Sequence, residues 1–304
     1  MKFCSSVLAM GLLAVGSTDA FSINKPFKPT TKSAPSNIAL HSSADPQFNL
    51  AQPDNKMFPL KIPMTRIEGG GTLRTYKMPP GTERIEMEFQ TNGRPMKALI
   101  ELWTGPIRRT HRMEIINQDG SLSPYRAVLK CKKFDTGGQV LKVSAHGGYE
   151  YPLEAGVAAA SPERAKQLEE MTMKVWDNNP KQFFQGGPIE GGPGMVKTFP
   201  IDANVKSVQI IFWSARVGKK SCKAGIELLH GPNNTRQSYD LQCSGSGQPL
   251  HAVFETPGAG WVVRIYNKNF LEFPFEAMVV PYEVGEDRPD DPYAPISFST
   301  HNQL

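Results

Sequence analysis

Short runs in which apolar and polar residues alternate dominate the chain, and a period of two is the signature of strands. Ile85, Met87 and Phe89 alternate with Glu86, Glu88 and Gln90, and Ala98, Ile100 and Leu102 alternate with Leu99, Glu101 and Trp103. Residues 140–144 and 262–266 read as later strands. One face is apolar and the other mixed, as in an antiparallel sheet with one side on a core. Gly105-Pro106 and Gly231-Pro232 break the chain directly after such runs, as hairpin punctuation does. One convincing helix interrupts this rhythm. Ser161 can cap it, Pro162 suits its first position and Asn178-Asn179-Pro180 ends it. Ala165, Leu168, Met171, Met173 and Trp176 supply its apolar contact, which predicts a connector packed on one domain.

The pattern is written twice. Ile67-Glu68-Gly69-Gly70 recurs as Ile189-Glu190-Gly191-Gly192, and Ile100-Glu101-Leu102 before Gly105-Pro106 recurs as Ile226-Glu227-Leu228 before Gly231-Pro232. Pro124-Tyr125-Arg126-Ala127-Val128 answers to Pro249-Leu250-His251-Ala252-Val253, and Tyr151-Pro152-Leu153-Glu154-Ala155 to Phe273-Pro274-Phe275-Glu276-Ala277. Val208, Ile210 and Phe212 repeat the alternation of Ile85, Met87 and Phe89. A repeat of this length defines a structural unit. The predicted fold is all-β: two tandem homologous antiparallel β-sandwich-like domains, residues 67–157 and 189–282, joined by a helical linker at 158–188. An extension at 45–66 precedes them. A small closed barrel is the alternative for each unit.

The two ends of the chain differ from this body. Lys2, a short apolar run over residues 7–15 and small residues up to Ala20 have the parts of a signal peptide, residues 1–20. Residues 21–44 contain Lys25, Lys28 and Lys32 with several Ser and Thr but no Asp or Glu, a transit-peptide composition. A signal peptide, an aromatic residue (Phe21) at the cut and an acid-free segment together resemble the bipartite plastid presequence of algae with complex plastids. At the other end, residues 283–304 form an extended acidic and proline-rich tail, with Asp287, Asp290 and Asp291 beside Pro289, Pro292 and Pro295. It returns to apolar residues at Tyr293, Ile296 and Phe298, which are the candidate assembly contacts. Ile296 and Phe298 point the same way in an extended segment and can fill a groove or a sheet edge.

Charge and candidate chemistry narrow the function. The 34 basic and 29 acidic residues give a net charge of +5, but four of the lysines and one aspartate lie in residues 1–44. The remainder carries 30 basic and 28 acidic residues, net +2. So nearly neutral a body gives no electrostatic reason to expect nucleic acid and does not discourage self-association. No apolar run after the start is long enough to span a membrane. The six histidines show no metal-ligand spacing, and no nucleophile elbow, phosphate-binding loop or Cys-x-x-Cys pair is present. The glycines at 69–71 and 191–194 read as turns. Glu101 and Glu227 would need to meet in one cleft to act as a catalytic pair, yet they belong to separate copies. Neither catalytic, cofactor-binding nor metal residues are expected. Cys222 and Cys243 face each other if residues 229–233 turn a hairpin. That arrangement allows a disulfide only at demanding geometry, and a reducing compartment keeps both as thiols. Trp103, Trp213, Trp261 and Tyr266 read mainly as core.

The duplicated Ile-Glu-Gly-Gly, Ile-Glu-Leu-x-x-Gly-Pro and Tyr/Phe-Pro-x-Glu-Ala blocks, the plastid-like presequence and the acidic tail together resemble the diatom pyrenoid shell proteins (PyShell). The resemblance covers nearly the whole chain after the presequence. It implies a non-enzymatic structural protein that tiles with itself into a sheet around the Rubisco-filled pyrenoid, in the plastid stroma, and supports CO2 fixation. Rubisco or other matrix proteins are the further partners it implies, and the family brings no catalytic residues. The competing expectation is a tandem β-sandwich module that binds carbohydrate or protein through Trp103, Trp213 and Trp261.

Overall fold

The computed structural model describes residues 57–131, 138–188, 194–214, 217–231 and 233–285. In chain order the first copy contributes β1 (Thr65–Ile67), β2 (Leu73–Lys77), β3 (Arg84–Gln90), β4 (Met96–Thr104), β5 (Arg108–Asn117), β6 (Tyr125–Lys130), β7 (Gln139–Ala145) and β8 (Leu153–Ala159). Helix α1 (Pro162–Asn178) follows. The second copy contributes β9 (Gln182–Phe184), β10 (Val196–Pro200), β11 (Val205–Trp213), β12 (Ser221–His230), β13 (Thr235–Ser244), β14 (Leu250–Glu255), β15 (Trp261–Asn267) and β16 (Phe275–Val284). Among the described residues the protein is all-β apart from α1, with two antiparallel sheets that do not close into a barrel.

The strand orders show how the copies combine. Sheet I runs β1-β8-β3-β6-β14-β11-β16-β9, and sheet II runs β10-β15-β12-β13-β5-β4-β7-β2. Each copy supplies half of each sheet, and the two halves have the same strand order read from the outside inward. The copies therefore meet strand to strand, β6 against β14 and β5 against β13. Ala127 and Ala252, which are equivalent positions in the repeat, sit directly opposite each other. In sheet II the pair at the centre is Glu114 and Asp240. These two are also equivalent, because Ile100 pairs with Met113 as Ile226 pairs with Tyr239. A pseudo-two-fold axis passes through both pairs.

One apolar core runs between the sheets and across this seam. Ile85, Met87 and Phe89 of sheet I pack in the same cluster as Ile100, Leu102, Ile226 and Leu228 of sheet II. At the seam the rings of Tyr125 and Tyr239 stack at 5.6 Å, and Phe254 lies 4.7 Å from Tyr239. Each such aromatic pair contributes about 0.5–1.5 kcal/mol beyond its burial. Gln237 reinforces the join, donating to Ser123 Oγ at 2.9 Å and accepting from the Tyr239 hydroxyl at 2.8 Å.

The glycine motif pairs differently from its sequence match. Gly70 N–H donates to the Gly147 carbonyl, and at the equivalent corner Gly187 N–H donates to that of Asn269. A Cβ on Gly69 would strike the Gly148 oxygen, and one on Gly186 the Phe270 oxygen. The structural counterpart of Gly69-Gly70 is thus Gly186-Gly187. The written repeat at residues 189–192 lies five residues further on and falls outside the described residues. Gly69-Gly70-Gly71 is a turn, as expected, with Gly70 and Gly71 at φ 74° and 85°.

Helix α1 begins and ends where its caps predict, and Ser161 Oγ accepts from Arg164 N–H. It does not rest on one copy, however. Leu168 packs on Val128 and Val253, equivalent residues on either side of the seam. Trp176 packs on Ile211, Met278 and Val280 of the second copy. The helix therefore braces the outer face of sheet I across the pseudo-two-fold. This cover explains why β3 is buried on both faces, although its alternation predicts one wet side. Glu86 is buried beneath Arg164, which donates to it through Nη2 at 2.7 Å and Nε at 3.1 Å. Glu88 is buried between Arg126 Nε at 2.9 Å and the Leu60 N–H at 3.0 Å.

A buried carboxylate stripped of its partner is costly, whereas losing both charges is nearly neutral. Arg164→Met is therefore expected to destabilise the protein by about 3 kcal/mol. Adding Glu86→Gln should recover most of that loss. Urea unfolding midpoints of the single and double variants check it, with circular dichroism confirming that α1 persists.

Candidate functional site

With one face of sheet I under α1, the outer face of sheet II carries the molecule's open array of charged side chains. Alternation along β4, β5, β12, β13 and β15 places them there, since their neighbours point into the core. Glu101 accepts from Arg109 Nη1 at 2.7 Å and from Trp103 Nε1 at 3.2 Å. The Lys142 ammonium lies 4.6 Å from the Trp103 ring centroid. Burial raises the Glu101 pKa, but the bonds from Arg109 and Trp103 and the nearby cations outweigh it and hold the carboxyl below its ordinary value. In the second copy Glu227 is paired with Arg264, its direct cross-strand neighbour, and accepts from the Tyr266 hydroxyl at 3.2 Å. Lys268 pairs with Asp240 at 2.8 Å. Tyr266 covers Gly225, where a Cβ would come within 2.2 Å of its ring.

Glu101 and Glu227 do not meet. Strands β5 and β13 lie between β4 and β12, and three strand spacings amount to roughly 14 Å. That exceeds the separation at which two carboxylates share one glycosidic bond. Each instead neutralises cations of its own copy. Among the described residues no group of three or more His, Cys, Asp or Glu side chains gathers to hold a metal.

The tryptophans do not form a common platform. Trp261 is buried, and its Nε1 donates to the Pro257 carbonyl at 2.8 Å. Trp213 packs against Trp176 of the helix, ring centroids 5.2 Å apart. Trp103 stands on the open face of sheet II, with Lys142 across its ring. Core packing thus claims Trp261, as expected, and the helix claims Trp213.

Two arrangements have no signal in the linear sequence. Arg126 bridges the seam, reaching Glu88 in its own copy and Glu255 of the other at 2.6 Å. His251 is buried under α1, with Nδ1 3.0 Å from Thr172 Oγ1 and Nε2 3.1 Å from Gln209 Oε1. Gln209 Nε2 donates to the Pro281 carbonyl, which can only accept, and this fixes the amide orientation. Gln209 Oε1 then accepts from His251 Nε2–H, while Thr172, whose hydroxyl donates to the Leu168 carbonyl at 2.7 Å, lies against Nδ1. His251 is thereby a structural bridge between sheet and helix.

The sheet edges are the remaining open features. β1 and β9 end sheet I, and β10 and β2 end sheet II. The two ends of the molecule differ in chemistry. At the second-copy end Phe183, Met195, Val196, Phe270 and Leu271 are exposed together around β9 and β10. At the first-copy end Arg66 pairs with Glu68, and Leu73 and Tyr149 are the exposed apolar residues. The predicted contacts Tyr293, Ile296 and Phe298, and the presequence, lie outside the described residues.

This is a duplicated, seam-fused all-β protein organised around edges and faces. A family model described as diatom pyrenoid shell protein matches residues 56–281, and the chain belongs to that family. Membership gives it a structural place in the plastid pyrenoid. Among the described residues no helix is long and apolar enough to cross a membrane. No curated protein matches the chain. Among solved structures it is similar to a Lactobacillus farciminis oxalate decarboxylase formate complex, 13% identical over 70% of this chain and 86% of that one, with a TM-score of 0.14. A Bacillus subtilis oxalate decarboxylase structure at pH 4.6 is 11% identical over 75% of this chain and 80% of that one, with a TM-score of 0.13. Scores this low carry no argument about fold or chemistry.

Burial lowers the pKa of His251 to about 3, helped by the charge of Arg84, and burial lowers that of His111 to about 4. Both folded values lie below the unfolded value near 6.5, so below pH 6.5 the unfolded chain binds the protons first. Their stabilisation is complete above pH 6.5 and is lost as pH falls toward 4 and 3. Between pH 7 and pH 5 each histidine is expected to remove about 2 kcal/mol of stability. Urea unfolding at the two pH values measures the loss, and His251→Gln should reduce it by about half.

Proposed function

We propose that this protein is a self-assembling structural element, not an enzyme, whose copies tile into a sheet encasing the Rubisco-containing pyrenoid and support CO2 concentration and fixation. The observation that carries this reading, beyond family membership, is the fused double sandwich with unlike ends. Its two sheets stop at strands on opposite sides of one rigid seam. Contacts between unlike ends do not close on themselves, so they propagate into arrays rather than ending at a dimer. A net charge near zero places little repulsion between copies. Rubisco or another matrix protein is the further partner proposed, on one face of the layer.

The tail is proposed to strengthen these contacts. The last described residue before it is Gly285, whose N–H is tied to the Asn204 carbonyl between β10 and β11. From there the polar spacer carries Tyr293, Ile296 and Phe298 within reach of an open edge, where burying an apolar side chain contributes about 1.5–3 kcal/mol before ordering costs. Purified residues 45–304 are expected to form sheets or tubes under negative-stain microscopy, and monodisperse monomers would overturn the assembly reading. Deleting residues 285–304 is expected to leave the circular dichroism spectrum intact and to shift sedimentation toward smaller species. Unchanged assembly would remove the tail from the mechanism.

The bipartite presequence is proposed to deliver the chain to the stroma. A fluorescent protein fused behind residues 1–44 should enter the plastid, and Phe21→Ala should hold it in an earlier compartment. Secretion of the unmodified fusion would refute this route.

A further inference from the structure

Cys222 on β12 and Cys243 on β13 are direct cross-strand partners, with their Sγ atoms 3.0 Å apart. Both are buried, and both are free thiols. Directly opposed residues of antiparallel strands have Cα atoms roughly 4.5–5.5 Å apart, inside the range that a disulfide spans. An S–S bond is about 2.05 Å long, so the sulfurs need close by only about 1 Å. No strand has to move in register for that bond to form.

The sandwich framework does not call for this pair. The equivalent positions in the first copy are Met96 and Asn117, opposed in the same way. There the Asn117 amide is committed to the Ser123 carbonyl. The dithiol is therefore a feature of the second copy alone. The third described cysteine, Cys131, is buried on its own, and its thiol points to the Leu129 carbonyl. It serves as an internal reference with no partner sulfur.

Access comes from the end of the hairpin. Cys243 is followed by Ser244 and by Gly245, which turns the chain at φ 90° and is tied to the Lys220 carbonyl. Of the two, Cys243 keeps a little exposure beside that turn, whereas Cys222 has none. On its other side Cys243 faces His111 across the seam. A bond between the two sulfurs would therefore tie β12 to the strand that joins the copies.

We propose that Cys222 and Cys243 are a dithiol–disulfide site that is oxidised by a small-molecule disulfide. The Cys243 thiolate attacks one sulfur of the substrate disulfide, releasing one thiol and forming a mixed disulfide. The Cys222 thiolate then attacks the Cys243 sulfur, forming the internal bond and releasing the second thiol. Two protons and two electrons pass from the protein to the substrate, which leaves as two thiols. The product locks the β12–β13 hairpin, and a dithiol reverses the change.

The test uses the purified chain with oxidised glutathione as the probe. Thiol titration after denaturation should show a loss of two thiols, with Cys131 still titrating. Peptide mapping should recover Cys222 and Cys243 as one linked pair. The thermal midpoint should rise by roughly 5 °C and return on adding dithiothreitol. Cys222→Ser should stop at a glutathione adduct on Cys243, without the internal bond. Persistence of both thiols, adducts on each cysteine without an internal bond, or a link that includes Cys131 would overturn the proposal. The wild-type comparison of reduced and oxidised protein stands even if the serine variant fails to fold.

Discussion

Everything else in the structure depends on the backbone pairing of equivalent strands across the pseudo-two-fold. β6 bonds to β14 and β5 to β13, so two copies of one motif become two continuous sheets. Such pairing leaves no interior edges, and an unpaired edge strand is open to unwanted association. It also places Tyr125, Tyr239 and Phe254 in one aromatic group that belongs to neither copy alone. The remaining open strands are driven to the two far ends, β1 and β2 at one and β9 and β10 at the other. With the middle closed in this way, only those end strands keep an open edge.

The helix and the buried ion pairs follow from that join. Once sheet I is continuous, its outer face is wide enough for a helix to lie across it, and α1 does so with Leu168 over the seam. The polar residues of β3 are then shut away from water. They are tolerated because Arg164 and Arg126 arrive with compensating charge. In the second copy the same surface has diverged. Gln209 and Ile211 of β11 stand where Glu86 and Glu88 stand in β3, and His251 stands where Arg126 stands, so hydrogen bonds and apolar packing replace ion pairs. Divergence of this kind makes the two ends of the molecule chemically distinct while leaving the framework shared.

Much of this was legible in the sequence, because it rests on local rules. Alternation of period two identifies β3, β4, β11 and β12, and Ser161, Pro162 and Asn179 mark the bounds of α1. The repeated blocks establish the duplication, and the hairpin arithmetic around residues 229–233 places Cys222 opposite Cys243. The candidate surfaces were much less legible. The four-residue likeness at residues 189–192 points five residues beyond the structural glycine turn, because backbone bonds choose Gly186-Gly187. Neither the bridge from Thr172 through His251 to Gln209 nor the Arg126 link to Glu255 has a spacing that a linear reading detects. Their partners are brought together only by folding.

The sequence by itself therefore determined the element types, the duplication and the absence of a recognisable catalytic motif, since side-chain periodicity and turn chemistry act over a few residues. Tertiary structure alone decided that the copies fuse rather than stand in tandem, that the helix spans both, and which glutamates are buried. Those outcomes depend on which strand edges find each other, and a hydrogen-bonding edge looks the same in the sequence whether it meets water, a neighbour or its own repeat.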